Sequence, residues 1–423
     1  MNFTLASLLI PFFMLAVPIA ISIILVSIIA VYFFTSIPLV VLPQRMFVGL
    51  DSFPLMAIPF FILAGNIMAS GGISNSLVEF AKSIIGRVQG GLAATCVLTC
   101  LFFAAVSGSS IATTFAIGAI LIPAMVKQGY PKPMAAAIQA SSAELGVLIP
   151  PSIPLILYGI STDTSIGDLF IATLLPGALV AFGLVVCVLI WVRIRGLGKN
   201  DGEGCPHFTL AFKNAIGALM MPIIILGGIY GGIFTPTEAS AVAVIYAFGL
   251  TVFNKTFTLD GIFEILKKTA RSTTVVMLVI SAASLFSFLI SISGVTDELV
   301  AIISANVDSK ISFLIMVNLF LFFIGMFVET SAAILIFAPI MAPLALYYGV
   351  DSIHFGIIMV VNLALGMFTP PLGVNLFAAS QVADLPVEKM LKSLIPLVTT
   401  VVICLAFITW FPGLSLWLPQ LLK

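Results

Sequence analysis

Small polar residues interrupt two long apolar stretches of this sequence, and their types suit the binding of an ion or a small anion. One group reads VSGSSIATT over residues 106–114, and the other reads VETSAA over residues 328–333. In each group a helix is expected to end and another to begin, which leaves several N–H groups without a partner. Such a helix N-terminus attracts a carboxylate, and hydroxyl oxygens can bind a small cation. The simpler interpretation is that small residues here let membrane helices pack closely.

A pair of prolines follows each polar group, as Pro150-Pro151 and as Pro370-Pro371. A proline removes one helical hydrogen bond and clashes with the preceding turn, so two in succession open a helix and free several carbonyls. Free carbonyls at membrane depth are tolerated only where protein buries them or where they line a cavity. The pairs therefore predict oxygen ligands for Na⁺, and a purely structural kink is the alternative.

Together, the polar groups and the helix breaks predict two Na⁺ sites with a substrate between them. The predicted ligands of the first Na⁺ are Ser107, Ser110, Gly146, Ile149 and Pro150. Those of the second Na⁺ are Glu329, Thr330, Ser331, Gly366, Thr369 and Pro370. The predicted substrate-binding residues are Ser109, Ser110, Thr113, Thr330, Asn362 and Asn375. Na⁺ is the only metal expected, as a coupling ion, and no cofactor is expected.

Three acidic residues lie at or near membrane depth, where a buried acid suggests an ion pathway. Glu329 is the best candidate to assist a cation, and Glu144 precedes the first break as a possible supporting group. Glu238 follows the residues TPT and is expected to cap a helix. The cysteine pair Cys96 and Cys100 has no histidine or third thiol nearby in the sequence, so neither a metal site nor a disulfide framework is expected.

The elements that position these residues are membrane helices. Of the 423 residues, 61% are hydrophobic and 8% are charged, whereas a soluble domain needs roughly a quarter charged. Many apolar stretches reach the length of about 18 residues that crosses a bilayer. The net charge is zero, so no basic surface for nucleic acid is predicted. The predicted apolar segments are 3–17, 19–37, 52–70, 92–127, 133–160, 168–192, 214–231, 236–253, 273–291, 311–346, 354–378 and 394–418.

An internal repeat organises these segments. Pro123 pairs with Pro343, and Gly146 pairs with Gly366, each at a separation of 220 positions. The two proline pairs and Pro176 with Pro396 share that separation, without a gap across the block. Several matches in one register indicate a duplicated unit.

The basic residues predict opposite orientations for the two units. The loops 193–214 and 254–272 each contain four basic residues and should therefore stay in the cytoplasm. If each unit has three spans and one re-entrant segment, the first runs from outside to inside and the second from inside to outside. All of the 17 Lys and Arg then lie inside except Arg45, Lys310 and Lys423. The two loops were used to set this topology, so six other basic residues check it independently. All six lie on the predicted inside: Lys82, Arg87, Lys127, Lys132, Lys389 and Lys392.

The segments about 92–127 and about 311–346 are predicted to be re-entrant hairpins. Basic residues flank the first, which favours an opening to the cytoplasm, and the acidic residues Asp297, Glu298, Asp308 and Asp351 flank the second. Opposed hairpins in inverted repeats are typical of secondary transporters, whose site lies where the interrupted segments meet. The predicted division is N-terminal scaffold spans in 1–44, repeat one in 45–192, central cytoplasmic loops with two linking spans in 193–272, and repeat two in 273–418.

Five stretches are similar to the large membrane subunit of tripartite ATP-independent periplasmic (TRAP) transporters, and the resemblance spans nearly the whole chain. They are SGSSIATTFAIGAILIPAM (107–125), ELGVLIPPSIPLILYG (144–159), GGIYGGIFTPTEASAVA (227–243), HFGIIMVVNLALGMFTPPLGVNLF (354–377) and FPGLSLWLP (411–419). The resemblance implies a multi-pass protein of the bacterial inner membrane with an elevator-type fold. It also implies two partners, a small four-helix membrane subunit and a soluble periplasmic substrate-binding protein. No small subunit is fused in this sequence, so a separate chain is expected.

The function implied by the resemblance is Na⁺-driven import of an organic acid, often a dicarboxylate or a sialic acid. A related symporter that needs no soluble partner is the first alternative, and an ion channel is the second. A membrane-embedded enzyme is the weakest alternative, because the sequence has no catalytic triad, zinc motif or nucleotide-binding loop.

Overall fold

A computed structural model of the chain describes residues 11–12, 15, 17–199, 204–254, 259–294, 298, 301, 303, 307 and 309–422. Every regular element within these residues is a helix. Eight of the described helices are long and apolar enough to cross a membrane. The predicted all-helical membrane fold is confirmed. Most of the predicted span 3–17, together with Asp297 and Asp308, lies outside the described residues.

Most helices before and within the first repeat fall in the predicted apolar segments, but Val41–Val48 and Ile73–Ile85 lie outside all of them. Pro18 directly precedes the first helix, where the sequence predicted a break between two spans. The helices are α1 (Ile19–Phe34), α2 (Val41–Val48), α3 (Ala57–Ser70), α4 (Ile73–Ile85), α5 (Gly91–Ser107), α6 (Ser110–Lys127), α7 (Lys132–Ala143), α8 (Leu145–Leu148), α9 (Ile153–Ser161), α10 (Ile166–Ala172) and α11 (Leu174–Ile194).

Two linking helices and the second repeat complete the chain. The link turns sharply before Pro236, where Thr235 and Glu238 form the predicted helix cap, with Thr235 N donating to Glu238 Oε2 at 2.8 Å. The helices are α12 (Phe208–Tyr230), α13 (Pro236–Phe253), α14 (Leu259–Ser293), α15 (Lys310–Gly325), α16 (Thr330–Tyr347), α17 (Ser352–Met367), α18 (Val374–Ala383), α19 (Leu391–Trp410) and α20 (Gly413–Leu422).

The helix boundaries repeat with the offset read from the sequence. Helix α16 begins 220 positions after α6 and ends 220 positions after it, and α17 begins 220 positions after α7. Each repeat therefore contains one hairpin, α5–α6 or α15–α16, followed by one broken helix. The peptide bonds Pro150-Pro151 and Pro370-Pro371 at the two breaks are both cis.

Contacts between the repeats show that they point in opposite directions. At the base of the first hairpin, Lys132 Nζ donates to the carbonyl of Asp384, which follows the broken helix of repeat two, at 3.1 Å. At the base of the second hairpin, Tyr158 Oη donates to the carbonyl of Ser352 at 2.8 Å, and Tyr158 lies near the end of the broken helix of repeat one. Each hairpin thus opens at the end of the molecule where the other repeat's broken helix finishes.

The broken helices occupy the centre of the protein. All residues of α7 from Met134 to Ala143 are buried, and so are all residues of α17 from His354 to Met367. Residues buried on every side of a helix contact other protein segments, and neither lipid nor water reaches them. The first break, residues 149–152, therefore lies in the interior, whereas at the second break Thr369 is buried and Pro371 and Leu372 are exposed.

A charged segment also differs from the expectation. The stretch 254–272 was expected to be a loop, yet α14 begins at Leu259 and continues unbroken to Ser293. Its charged residues are good helix formers, and Glu264 pairs with Lys267 at 3.7 Å along the helix surface. Charge excludes this stretch from the hydrocarbon core, but it does not prevent the stretch from being helical.

Candidate ion and substrate site

The first hairpin turns between α5 and α6 over two residues. Gly108 has a φ of +60°, the left-handed region that favours glycine, and it ends α5. Ser109 is the N-cap of α6. Ser107 Oγ lies 3.1 Å from Thr113 Oγ1, and the Thr113 hydroxyl donates to the carbonyl of Ser109 at 2.8 Å. Hydroxyl and carbonyl oxygens therefore surround this first tip.

The broken helix of repeat one changes direction by 43° between α8 and α9. The carbonyls of Gly146 and Val147 would normally accept hydrogen bonds from the residues four positions later. Those residues are Pro150 and Pro151, which have no N–H group. The break therefore frees carbonyl oxygens in the buried centre of the protein.

Nearby hydroxyl groups bind some of the freed carbonyls. Ser152 Oγ donates to the carbonyl of Val147 at 2.5 Å, and Thr173 Oγ1 donates to the carbonyl of Leu148 at 2.9 Å. Neither of these carbonyls belongs to a predicted Na⁺ ligand. The predicted carbonyl ligands of the first site, Gly146, Ile149 and Pro150, lie on both sides of this hydroxyl-bound pair.

The first tip packs directly against the first break. A Cβ atom added at Gly146 would lie 2.8 Å from the backbone carbon of Ser109 and 2.8 Å from the backbone nitrogen of Ser110. A Cβ atom at Gly108 would meet the carbonyl oxygen of Pro151. Only glycine allows this approach, which brings the hydroxyls of the tip and the carbonyls of the break into one place.

The second tip also begins a helix with a side-chain N-cap, but the capping residue is a glutamate instead of a serine. Glu329 stands 220 positions after Ser109 and is the N-cap of α16. Its carboxylate accepts from Ser331 N at 2.9 Å, from Ala332 N at 3.2 Å and from Ser331 Oγ at 2.9 Å. The acid predicted to assist a cation thus also holds the start of its own helix.

The second tip packs against the second break even more closely. A Cβ atom at Gly366 would lie 2.5 Å from the backbone Cα and carbonyl oxygen of Gly325, the last residue of α15. The carbonyl of Met326 accepts hydrogen bonds from Leu372 N and Gly373 N, both at 3.3 Å. Hairpin and break are therefore joined by backbone contacts that leave no room for side chains.

Thr369 lies inside the second break and uses its backbone and side chain as donors. Its N–H donates to the carbonyl of Gly366 at 3.0 Å, and its hydroxyl donates to the carbonyl of Leu365 at 2.6 Å. A hydroxyl that donates to a helix carbonyl still has lone pairs to offer a cation. Thr369 therefore stabilises the open helix end, and its role as a cation ligand stays a prediction.

The two tips meet at one side chain. Thr330 Oγ1 lies 2.8 Å from the sulfur of Met367, and Ser110 Oγ lies 4.0 Å from the same sulfur. Ser110 and Thr330 are the first residues of α6 and α16, 220 positions apart, and all three side chains are buried. The hairpin tips of the two repeats therefore converge on the end of α17.

Two predicted substrate ligands are engaged elsewhere. Asn362 donates to the backbone and side-chain oxygens of Asn318, at 3.0 and 2.8 Å. Asn375 donates to the carboxyl group of Glu144 and so joins the start of α18 to the end of α7. Neither amide shares a described hydrogen bond with the hydroxyls of the tips.

The structure thus brings the backbone of Ser110 to Gly146 in repeat one and Thr330 to Met367, next to Gly366, in repeat two, while Asn362 and Asn375 bind other residues. The Na⁺-ligand roles stay predictions. Sequence reasoning missed Met367, Gly325 and Asn318. The internal repeat gave no signal for Gly325, since Ala105 stands at the matching position of repeat one. Met367 corresponds in the same way to Val147, so a symmetry argument could not have found it.

Inverted repeats with opposed hairpins, whose tips meet at paired helix breaks, define the class of the protein as a membrane transporter permease. Its family is equally clear. The chain belongs to the tripartite ATP-independent periplasmic transporters, whose DctM component model matches residues 6–414. The resemblance found in the sequence motifs is confirmed.

Several curated relatives are similar over most of this chain. The C4-dicarboxylate TRAP transporter large permease protein DctM of Rhodobacter capsulatus is 38% identical, with 98% of each chain covered. The sialic acid TRAP transporter large permease protein SiaM of Vibrio cholerae is 37% identical, with 89% of each covered. The isethionate TRAP transporter permease protein DctMQ of Oleidesulfovibrio alaskensis is 41% identical over 96% of this chain, which spans only 64% of that relative.

A solved structure shares the fold. The YdaH transporter of Alcanivorax borkumensis superposes with a TM-score of 0.63 over 88% of this chain and 87% of its own, at 16% sequence identity. At that identity the likeness supports the architecture alone.

Proposed function

We propose that this permease imports a small organic acid by Na⁺-coupled secondary transport. A periplasmic substrate-binding protein delivers the acid, and a small four-helix membrane subunit forms a separate part of the complex. The substrate lies between the two hairpin tips, with one Na⁺ bound in each repeat, and crosses the membrane by an elevator motion. The names of the relatives suggest the classes of acid to test: a C4-dicarboxylate, a sialic acid or isethionate.

The observation that carries this proposal is the duplicated contact between a polar tip and a helix break. Both tips place hydroxyl groups at a helix N-terminus, and at both breaks a proline pair removes N–H groups that would otherwise bind helix carbonyls. None of the described lysines and arginines is buried. An anion in this centre therefore needs its charge balanced by helix ends and by bound cations, which links its binding to Na⁺.

Replacing Ser110 or Thr369 with alanine should weaken Na⁺ binding. Each change removes one hydroxyl oxygen from a small cation's shell, so the Na⁺ concentration for half-maximal uptake should rise about tenfold. The measurement is uptake of the three labelled acids into proteoliposomes that contain both membrane subunits, with the binding protein outside, over a range of Na⁺ concentrations.

Two matched variants control this experiment. Thr369→Ser keeps the hydroxyl and should retain the Na⁺ dependence. Ser83→Ala removes a buried hydroxyl in α4 that donates to the carbonyl of Phe80 at 2.7 Å. It should leave the Na⁺ concentration for half-maximal uptake nearly unchanged. Wild-type uptake that persists at full rate without Na⁺ would refute the coupling. Full uptake without the binding protein would instead support the self-sufficient symporter.

A further inference from the structure

The point where the two hairpins meet is occupied by a thioether. Met367 is the last residue of α17, directly before the second break, and its side chain is 1% exposed. Its sulfur lies between the hydroxyls of Thr330, at 2.8 Å, and of Ser110, at 4.0 Å. These hydroxyls occupy the same position in the two repeats, so the sulfur marks the place where the inverted units face each other.

A thioether is a poor partner for two hydroxyl groups. Sulfur in methionine is a weak acceptor, whereas a carboxylate or sulfonate oxygen forms a charge-assisted hydrogen bond that is about twice as strong as a neutral one. Each hydroxyl also belongs to the first residue of a helix, where the helix dipole favours a negative group. The surroundings of the sulfur are therefore better matched to an anionic oxygen than to the sulfur itself.

Met367 is also able to leave this position. Its side chain is unbranched with three rotatable bonds, and methionine adapts to irregular spaces more readily than other apolar residues. The chain beyond Met367 is the open break, so the side chain is attached to the last turn of a helix and not to its middle. A rotamer change can move the sulfur without moving α17.

We infer that the thioether of Met367 holds the place of the substrate's acid group when the site is empty. The incoming acid takes the Ser110 and Thr330 hydroxyls from the sulfur, and Met367 turns aside. Met367 is thus a positioning residue that sets substrate affinity, since every substrate must displace it. This inference rests on the proposed function, because it places the acid group between the two tips.

The inference predicts the effect of a change that keeps bulk and removes the acceptor. Met367→Leu removes the sulfur that accepts from the two hydroxyls. This loss affects only the empty site, because the acid group occupies both hydroxyls in the bound state. Since the empty state loses a weak hydrogen bond and the bound state loses none, substrate should bind about two- to five-fold more tightly. A residue that merely packed against the substrate would give weaker binding or no change.

Binding should be measured on the purified complex of both membrane subunits in detergent. At saturating Na⁺, the rise of thermal stabilisation with the concentration of each acid gives the Kd of that acid without transport. Met359→Leu is the matched control, since Met359 lies on the same helix, is fully buried and has no described hydrogen bond to either tip. It should leave the Kd of the acid unchanged.

Thr330→Val provides the second arm. In the Thr330→Val protein one donor to the sulfur is already gone, so Met367→Leu should increase the affinity for the acid much less than it does in the wild type. An equal gain in both backgrounds would show that the sulfur acts through something other than the hydroxyl and would overturn the inference.

Methyl resonances give a direct readout of the side chain. In the complex labelled with ¹³C-methyl methionine, the Met367 signal, assigned by its loss in Met367→Leu, should shift when acid is added to the Na⁺-saturated protein, and the Met359 signal should not. If the wild type is stabilised by an acid but Met367→Leu matches Met359→Leu and the signal stays fixed, the inference alone is wrong. If no acid stabilises the wild type at any Na⁺ concentration, the proposed function is wrong and the inference falls with it.

Discussion

Alanine in place of Gly366 is expected to reduce transport by more than about tenfold. The added Cβ atom would lie 2.5 Å from backbone atoms of Gly325, and backbone cannot move aside as a flexible side chain can. Overpacking of this kind costs about 1–3 kcal/mol and forces the second hairpin away from the second break. The proposed second Na⁺ site would then lose its geometry. Alanine is the better helix former, so helix propensity cannot account for such a loss.

A graded series tests this expectation. Gly146→Ala places its Cβ atom 2.8 Å from the backbone of Ser109 and Ser110, so its effect should be marked but smaller. Gly249→Ala in α13 meets nothing within 4 Å and should be neutral. Initial uptake rates, normalised to the amount of inserted protein, should fall in the order Gly249, Gly146, Gly366. Equal rates for Gly366→Ala and Gly249→Ala would show that the close contact has no role in transport.

Replacing Asn375 with leucine is expected to destabilise the protein by about 3 kcal/mol. Asn375 donates to the buried carboxyl group of Glu144, and leucine has a similar shape but no donor. Glu144 is 2% exposed, and a buried carboxyl group that loses its partner incurs the desolvation penalty without compensation. The pair also joins the two repeats, so transport should fall as well. The unfolding temperature of the detergent-solubilised complex measures the first effect.

A double-mutant cycle separates the pair from its surroundings. Glu144→Met alone leaves the amide of Asn375 without its acceptor and should also destabilise the protein. With both groups replaced, neither polar group remains unpaired, so the combined cost should be clearly less than the sum of the single costs. Additive costs would contradict a direct interaction. Glu144 Oε2 and Asn375 Oδ1 have no hydrogen-bond partner among the described residues, which makes the pair sensitive to any loss.

The sequence predicted the symmetric part of the fold in detail. Hydropathy located the spans, since a bilayer requires long apolar helices. The 220-residue register then predicted paired helix starts, which α6 with α16 and α7 with α17 confirm. Proline pairs predicted the breaks because proline cannot donate the missing hydrogen bond. These features depend on one segment at a time, so local chemistry was sufficient to find them.

The same reasoning failed where polarity was taken to indicate a loop. Residues 259–272 contain several charges, which exclude them from the hydrocarbon core, yet they form the first turns of α14. Helix formation depends on backbone preference and on pairs such as Glu264 with Lys267. A hydropathy pattern shows where a chain crosses the bilayer, and it does not show where a helix ends.

The tips and breaks of the proposed Na⁺ sites were therefore determined by the sequence, because residue type alone makes glycine, hydroxyl and proline positions open a helix. Only the tertiary structure decided what those positions face. It placed Gly325 against Gly366, Asn375 against Glu144, and the Met367 sulfur between Ser110 and Thr330. These contacts break the symmetry of the repeat, and they join residues up to 257 positions apart. Neither the period of a pattern nor an internal repeat carries that information, since both describe what the two halves share.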